Sequence, residues 1–171
     1  DLVEAVRILR DEKKQKVKVL LIGKGEMFDK VVDLIHKNKL DKQFFLTGLR
    51  GHVPNPLLPK YICSAKVCIA PFNIKNAARG NYEKYGFYAS PLKVLEYMSC
   101  GKPVIATNYT LIKKMMGKEG NMTFKSNDKK DLANKIYVML AKKNLEKIGR
   151  TNRKKSLKYD WGKLTDKMLK E

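Results

Sequence analysis

Residues 90–107 of this 171-residue chain read Ser90-Pro-Leu-Lys-Val-Leu-Glu-Tyr-Met-Ser-Cys-Gly-Lys-Pro-Val-Ile-Ala-Thr107. Pro91 presets the backbone of a first helical turn, and Ser90 can cap the free amides of that turn. Gly101 suits the left-handed turn that ends a helix, and Pro103 is followed by an apolar run that is typical of a buried strand. The stretch therefore predicts a loop, a short helix and a strand in the middle of a sheet.

The start of the predicted helix is suited to a phosphate group. The free amides at a helix N-terminus and the helix dipole together attract anions, and Lys93 could add positive charge. Glu96 lies about a turn and a half further along, where its carboxylate could accept hydrogen bonds from the hydroxyls of a ribose. The residues alone also allow a plainer interpretation, in which Lys93 and Glu96 are solvated residues on an exposed helix face.

Segments of helical periodicity alternate with short apolar runs along the rest of the chain. This alternation predicts an α/β fold with a doubly wound, parallel, Rossmann-like sheet, whose ligand loops lie at the carboxyl ends of the strands. The length favours a single domain over residues 1–171. The predicted strands are 17–22, 43–47, 67–70, 104–107 and 122–124, and the predicted helices are 2–10, 26–38, 56–63, 91–100, 110–116, 129–142, 145–157 and 161–169.

Three further segments precede the 90–107 stretch. They are Ile22-Gly-Lys-Gly-Glu26, Phe44-Phe-Leu-Thr-Gly48 with Leu49-Arg-Gly-His-Val-Pro54, and Leu58-Pro-Lys-Tyr-Ile-Cys-Ser-Ala-Lys-Val-Cys-Ile-Ala-Pro71. In this order and spacing, the segments resemble the carboxy-terminal half of the group 1 glycosyltransferases of GT-B fold, also called glycosyltransferase family 4. The resemblance implies a donor-binding domain, which we expect to be a fragment of a two-domain enzyme.

The resemblance also implies roles for particular residues. Glu96 would bind the ribose of the donor. Ser90, Pro91 and Leu92 would offer backbone amides to its diphosphate, and Lys93 could add positive charge. The loop that would surround the nucleobase comprises Gly48, Leu49, Arg50 and Gly51.

Tyr88 stands where the family usually carries a second glutamate, which touches the transferred sugar. A tyrosine at this position suggests altered donor recognition or a different hydroxyl contact. The connection from residue 72 to residue 90 is too long for an ordinary strand-to-helix loop, so we expect a binding loop or a lid there.

No Asp-x-Asp metal motif occurs in the chain. The resemblance implies a retaining, metal-independent transfer of a hexose-like unit from a nucleotide-diphosphate sugar to a polysaccharide, lipid or glycolipid. Helix amides and basic side chains would stabilise the leaving diphosphate, and no cofactor is implied. Acceptor-binding and catalytic groups would belong to a missing amino-terminal domain, so no catalytic residue is assigned here. We expect the isolated chain to bind a donor weakly and to transfer nothing.

A formal net charge of +20 indicates attraction to an anionic partner, unless it reflects compositional bias. Two alternatives to a transferase follow from this charge. One is a basic nucleic-acid-binding module, although no known recognition motif occurs. The other is a peripheral membrane-binding module, in which basic helices such as 142–158 dock on acidic lipid. The membrane alternative is compatible with the transferase interpretation.

Cys63, Cys68 and Cys100 are odd in number and show no metal-ligand spacing with the two histidines, His36 and His52. We expect reduced thiols in the core. Reduced thiols suit a cytoplasmic protein, which could be peripheral at the inner face of the membrane.

Overall fold

The computed structural model of the chain describes residues 1–51, 53–72 and 91–160, together with residues 162, 165 and 169. Helices and strands alternate along these residues. In chain order the elements are α1 (Leu2–Asp11), β1 (Val19–Leu21), α2 (Phe28–Lys37), β2 (Phe44–Leu46), α3 (Leu58–Ser64), β3 (Cys68–Ala70), α4 (Leu92–Ser99), β4 (Val104–Thr107), α5 (Thr110–Met116), β5 (Met122–Phe124), α6 (Lys129–Leu140) and α7 (Leu145–Ser156). Short 3₁₀ turns lie at Thr47–Arg50, Asn55–Leu57 and Leu157–Tyr159.

All strand pairs in the described part of the chain are parallel. β1 pairs with β2, and Val19 lies opposite Phe44. In a second group of strands, β4 lies between β3 and β5, and Ile105 lies opposite both Ile69 and Met122. The parallel α/β architecture predicted from the alternating pattern is therefore confirmed, with its strands hydrogen-bonded in two groups.

Helices pack on both sides of β4, whose four residues are all buried. Val104 and Ala106 belong to a core cluster with residues of α4 and α5. Ile105 points the other way and belongs to a cluster with residues of α1, α6 and α7. A continuous apolar strand is typical of a sheet that is covered on both faces. The doubly wound arrangement follows from this alternation.

Helix α1 packs against both groups of strands. Its Leu9 lies in the cluster that contains Ile105, whereas its Val6 packs in a separate cluster with Phe44 of β2. The two faces of this amphipathic helix therefore connect the β1–β2 pair to the β3–β4–β5 group.

Several element boundaries differ from the predicted ones. Strand β1 is shorter than the predicted 17–22 at both ends. Before its start, the Val17 carbonyl accepts a hydrogen bond from the Gln43 side chain (3.1 Å) instead of a strand partner. The predicted helix 56–63 opens as a 3₁₀ turn and becomes α-helical only at Leu58. Most of the predicted helix 161–169 lies outside the described residues. None of the described helices is long and apolar enough to cross a bilayer.

The corner between α4 and β4 is held by α7. Gly101 ends α4 with a positive φ of 67°, as predicted, and its amide donates to the Met98 carbonyl (2.9 Å). Gly149 of α7 packs so closely on Gly101 that a side chain at position 149 would collide with the Gly101 carbonyl. Asn152 of α7 donates to the Lys102 carbonyl (2.7 Å). The position of α4 is therefore set by direct backbone contacts with α7.

Candidate functional site

Two loops meet at the carboxyl ends of β1 and β2. The Gly23 amide, in the turn after β1, donates to Oγ1 of Thr47 at the end of β2 (3.1 Å). Gly48 is buried against the same turn, and a Cβ there would lie 2.6 Å from the Gly23 carbonyl oxygen and 2.5 Å from the Phe28 ring. Only a glycine fits this approach. The turn at Gly23 and the predicted base-binding loop therefore lie side by side.

The exposed part of this loop follows Gly48. Leu49 is 69% exposed, and Gly51 has a φ of 99°, which favours glycine. Arg50 ends the 3₁₀ turn that begins at Thr47, and its side chain lies outside the described part of the chain. His52 lies outside the described residues. Among the side chains that the structure describes in this loop, Leu49 is exposed to solvent.

A cleft of about 490 Å³ opens beside the loop. Its volume lies within the range of roughly 300–1,000 Å³ that small-molecule sites occupy. The sequence did not predict this cleft, because the apolar residues Phe44-Phe-Leu46 were predicted only to form a strand. In the structure Phe45 is 51% exposed. The cleft is lined by Leu20, Phe44, Phe45, Leu46, Thr47, Leu49, Gly51, Val53, Pro54, Leu57 and Tyr61.

A second group of residues lies at the carboxyl ends of β3 and β4. Oγ1 of Thr107, which is fully buried, accepts from the Phe72 amide (2.8 Å) and donates to the Phe72 carbonyl (2.9 Å). Nζ of Lys93, on α4, lies 5.8 Å from the centroid of the Phe72 ring. Sequence reasoning assigned no role to Thr107 or Phe72. The available signal was a hydroxyl residue at the end of an otherwise apolar strand.

Among the described residues, the first turn of α4 provides no partner for two of its amides. The Pro91 carbonyl accepts from the amides of Val94 (2.8 Å) and Leu95 (3.3 Å), so the amides of Leu92 and Lys93 are the ones that this turn does not use. Both residues are exposed. The helix begins one residue later than predicted, at Leu92, and Pro91 is buried.

Pro91 has no N–H group, so the expectation that it offers an amide to the diphosphate was wrong. The Pro91 ring is instead buried, and its carbonyl accepts the first hydrogen bonds of α4. Ser90 and Tyr88, the other predicted residues before α4, lie outside the described residues.

Glu96 lies on the exposed side of α4. Among the described residues, no hydrogen bond or salt bridge engages its carboxylate. The next residue, Tyr97, is turned inward, and burial raises the pKa of its phenol, with smaller contributions from Cys68 and the Glu96 charge. Glu96 therefore presents a solvated acceptor on the same helix as the Leu92 and Lys93 amides.

The cysteines are placed differently from one another. Cys68 is buried in β3, and burial raises the pKa of its thiol to about 12. Cys100 is half-buried, and burial raises its pKa as well. Cys63 is exposed, so the expectation of a buried thiol was wrong at this position, which lies on the outer side of α3. Across the described ranges, no three histidine, cysteine or acidic residues are grouped in a way that could hold a metal ion.

A family model described as glycosyl transferases group 1 matches residues 1–142. The chain belongs to this family. The match covers every described element from α1 to α6, including both loops at the ends of β1 and β2 and the whole of α4. The chain is thus a glycosyltransferase domain. No curated protein sequence is significantly similar to it.

Solved glycosyltransferase structures share the fold of this group 1 chain. A sucrose-phosphate synthase from Thermosynechococcus elongatus aligns with 98% of the chain at a TM-score of 0.75 and 19% identity. TarM from S. aureus, solved with fondaparinux, alpha-GlcNAc-glycerol and UDP, aligns with 99% of the chain at a TM-score of 0.77 and 19% identity. The catalytic domain of cholesterol-alpha-glucosyltransferase from Helicobacter pylori aligns with 93% of the chain at a TM-score of 0.70 and 23% identity.

The chain spans only part of the first two of these proteins. The alignment covers 40% of the sucrose-phosphate synthase chain and 31% of the TarM chain, whereas it covers 88% of the Helicobacter pylori chain. These likenesses show the fold, which is that of a GT-B glycosyltransferase domain.

Proposed function

We propose that residues 1–171 form the nucleotide-sugar-binding domain of a two-domain glycosyltransferase of family 4. The observation that carries the proposal is the arrangement on α4. Two amides that the first helical turn does not use, those of Leu92 and Lys93, lie at the carboxyl end of the sheet with the exposed Glu96 carboxylate on the same helix. Ligands of doubly wound folds bind at this end of the sheet.

In the proposed complex, the donor diphosphate lies at the start of α4. The free amides and the helix dipole neutralise part of its charge, and the Lys93 ammonium adds a positive charge beside them. Ser90 lies next to this position in the chain. Glu96 accepts hydrogen bonds from the ribose hydroxyls. The loop Gly48–Gly51 and the cleft beside it bind the nucleobase, since backbone groups and apolar walls suit a flat ring.

The proposed reaction moves a hexose-like unit from the donor to a polysaccharide, lipid or glycolipid. As the glycosidic bond to the diphosphate breaks, negative charge grows on the leaving phosphate oxygens, and the α4 amides with Lys93 stabilise that charge without a metal ion. We infer retention at the anomeric carbon from the family resemblance. The acceptor and the remaining catalytic groups would be supplied by another domain, so this chain by itself would bind nucleotide without transferring sugar.

The nucleotide is a further part of the proposal. TarM was solved with UDP, which makes UDP the first nucleotide to test, with GDP and ADP as comparisons. Tyr88 takes the position of the family's second glutamate, so we propose that the sugar is recognised through a phenol hydroxyl in place of a carboxylate.

The test is a calorimetric titration of the chain with UDP, GDP and ADP, repeated with Glu96→Ala. This substitution removes the charged acceptor that would bind a ribose hydroxyl, so it should weaken nucleotide binding by about 10- to 100-fold. Glu12→Ala serves as the matched control, because Glu12 is an exposed acid at the end of α1 and should leave binding unchanged.

A second ligand separates a direct ribose contact from a change in the fold. The 2′-deoxy form of the tightest nucleotide should bind the native chain more weakly, and Glu96→Ala should weaken it less than it weakens the ribonucleotide. Equal affinity of the native chain and Glu96→Ala for every nucleotide would overturn the assignment of Glu96.

A further inference from the structure

The outward face of α7 carries a row of cations. Lys147, Arg150 and Lys154 follow one another at intervals of three and four residues, which places them on one side of the helix. All three are exposed. The opposite side of α7 is buried through Ile148, Gly149 and Asn152, which pack towards the core and the α4 corner. The cations are therefore held on a rigid element and face away from the protein.

Few acids accompany these cations. Lys143, Arg153 and Lys158 are also exposed and flank the same face. Glu146, four residues before Arg150 on that face, is the one acid within α7. Within the described ranges, none of these six cations forms a salt bridge with an acid. Lys155 behaves differently, because it is turned towards Glu119 and pairs with it. The positive charge of the outward face is thus available to an anionic partner.

An exposed apolar residue continues the same face. Leu157 follows Lys154 by three residues, so it extends the row of cations, and it is 55% exposed. Tyr159, in the 3₁₀ turn that follows α7, is 37% exposed. The surface combines a row of cations with an apolar and an aromatic side chain at one end. We call Lys147, Arg150, Lys154 and Leu157 the α7 basic face.

We propose that the α7 basic face docks on the surface of an anionic lipid membrane. The cations would lie among the lipid phosphates, while the apolar stems of the lysines, the Leu157 side chain and the Tyr159 ring enter the boundary of the acyl region. A polynucleotide would use the same cations, yet it offers no apolar layer for Leu157. The membrane therefore accounts for more of this surface than a nucleic acid does. The proposal is independent of donor binding.

The experiment measures sedimentation of the chain with vesicles of phosphatidylcholine alone and of phosphatidylcholine with about a third phosphatidylglycerol. The first variant combines Lys147→Ala, Arg150→Ala and Lys154→Ala. Each cation near an anionic bilayer contributes about fivefold to partitioning, so the triple variant should bind the anionic vesicles on the order of 100-fold more weakly. The matched control removes the same charge elsewhere, through Lys30→Ala, Lys37→Ala and Lys42→Ala, three exposed lysines on and beside α2.

A second variant, Leu157→Ser, keeps every charge. It should weaken binding to anionic vesicles several-fold because it removes apolar insertion, and it should leave binding to a single-stranded RNA oligonucleotide unchanged. All substituted side chains are exposed, so we expect each variant to keep the thermal unfolding midpoint of the native chain.

The proposal is supported by two results together. The α7 triple variant loses vesicle binding while the α2 control retains it, and the separate Leu157→Ser variant binds anionic vesicles more weakly than the native chain. Equal losses in both triple variants would show that net charge alone attracts the chain, and would overturn it. Failure of the native chain to bind anionic vesicles would also overturn the proposal. So would a Leu157→Ser variant with unchanged affinity for anionic vesicles, if the α7 triple variant also loses binding to the RNA oligonucleotide.

Discussion

Gly48 lies where two loops of the candidate site touch. A Cβ at this position would lie 2.6 Å from the Gly23 carbonyl oxygen, and backbone atoms cannot move aside as a flexible side chain would. We expect Gly48→Ala to lower the free energy of unfolding by about 1–3 kcal/mol, because the two loops must separate to admit the methyl group. Urea denaturation measures this change.

Gly25 provides the control for Gly48. A Cβ at Gly25 would meet nothing within 4 Å, and its backbone does not require a positive φ. Gly25→Ala should therefore leave the free energy of unfolding within about 0.5 kcal/mol of the native value. A Gly48→Ala protein as stable as Gly25→Ala would contradict the close packing of the two loops.

The three cysteines should differ in reactivity. At pH 8 an Ellman reagent should modify Cys63 in the folded chain, because that thiol is exposed. Cys68 should react only after unfolding, because it is buried and its pKa is raised to about 12. Peptide mapping of the modified protein distinguishes the two sites. Modification of Cys68 at the same rate as Cys63 in the folded state would contradict its burial.

The raised pKa of Cys68 also predicts a dependence of stability on pH. The folded chain holds this proton more tightly than the unfolded chain, in which the thiol titrates near its ordinary value of 9.0. The contribution is therefore fully present below pH 9 and is lost as the pH rises towards 12. Urea denaturation at pH 8 and pH 10 should show lower stability at pH 10, and Cys68→Ala should show a smaller decrease.

Helix α7 positions α4 through a pair of hydrogen-bonded asparagines, of which Asn152 is buried. Asn152, which is 1% exposed, donates to Oδ1 of Asn121 (2.8 Å), and Asn121 donates to Oδ1 of Asn152 (2.7 Å). Oδ1 of Asn121 also accepts from the Val104 amide at the start of β4 (3.0 Å). This network, together with the bond to the Lys102 carbonyl, connects α7, β4 and the end of α4.

We expect Asn152→Ala to destabilise the chain by about 2–3 kcal/mol. The substitution leaves the Lys102 carbonyl and the Asn121 amide without their buried partner, and such groups are costly to desolvate. Urea denaturation tests this value. Asn144→Ala is the control, because Asn144 precedes α7 and its side chain makes no capping hydrogen bond. Similar effects of the two substitutions would contradict the role of the network.

The charge of the entire chain should affect its stability as well as its partners. A net charge of +20 creates repulsion between the many surface lysines, and salt shortens the range of that repulsion from about 30 Å at 0.01 M to about 10 Å at 0.1 M. We expect the thermal unfolding midpoint to rise when NaCl is increased over this range. Choline chloride should produce the same rise, because screening depends on ionic strength and not on the cation. A midpoint that falls with both salts would contradict net self-repulsion.

Several features of the fold could be predicted because their causes are local. The run Pro103–Ala106 is apolar throughout, which matches β4 with helices on both faces. Gly101 adopts the positive φ expected of a helix-ending glycine. The start of β1 could not be predicted in the same way, because the side chain that binds the Val17 carbonyl belongs to Gln43, 26 residues away.

The amino-acid sequence by itself determined the alternation of helices and strands, the glycine that ends α4 and the membership of a glycosyltransferase family. These properties depend on periodicity, on the backbone limits of single residues and on motif order. The contacts of Thr107 with Phe72, of Gly48 with Gly23 and of Asn152 with Lys102 appear only in the folded chain. Periodicity shows which side of an element is buried, but the partner that covers it is set by how distant segments pack together.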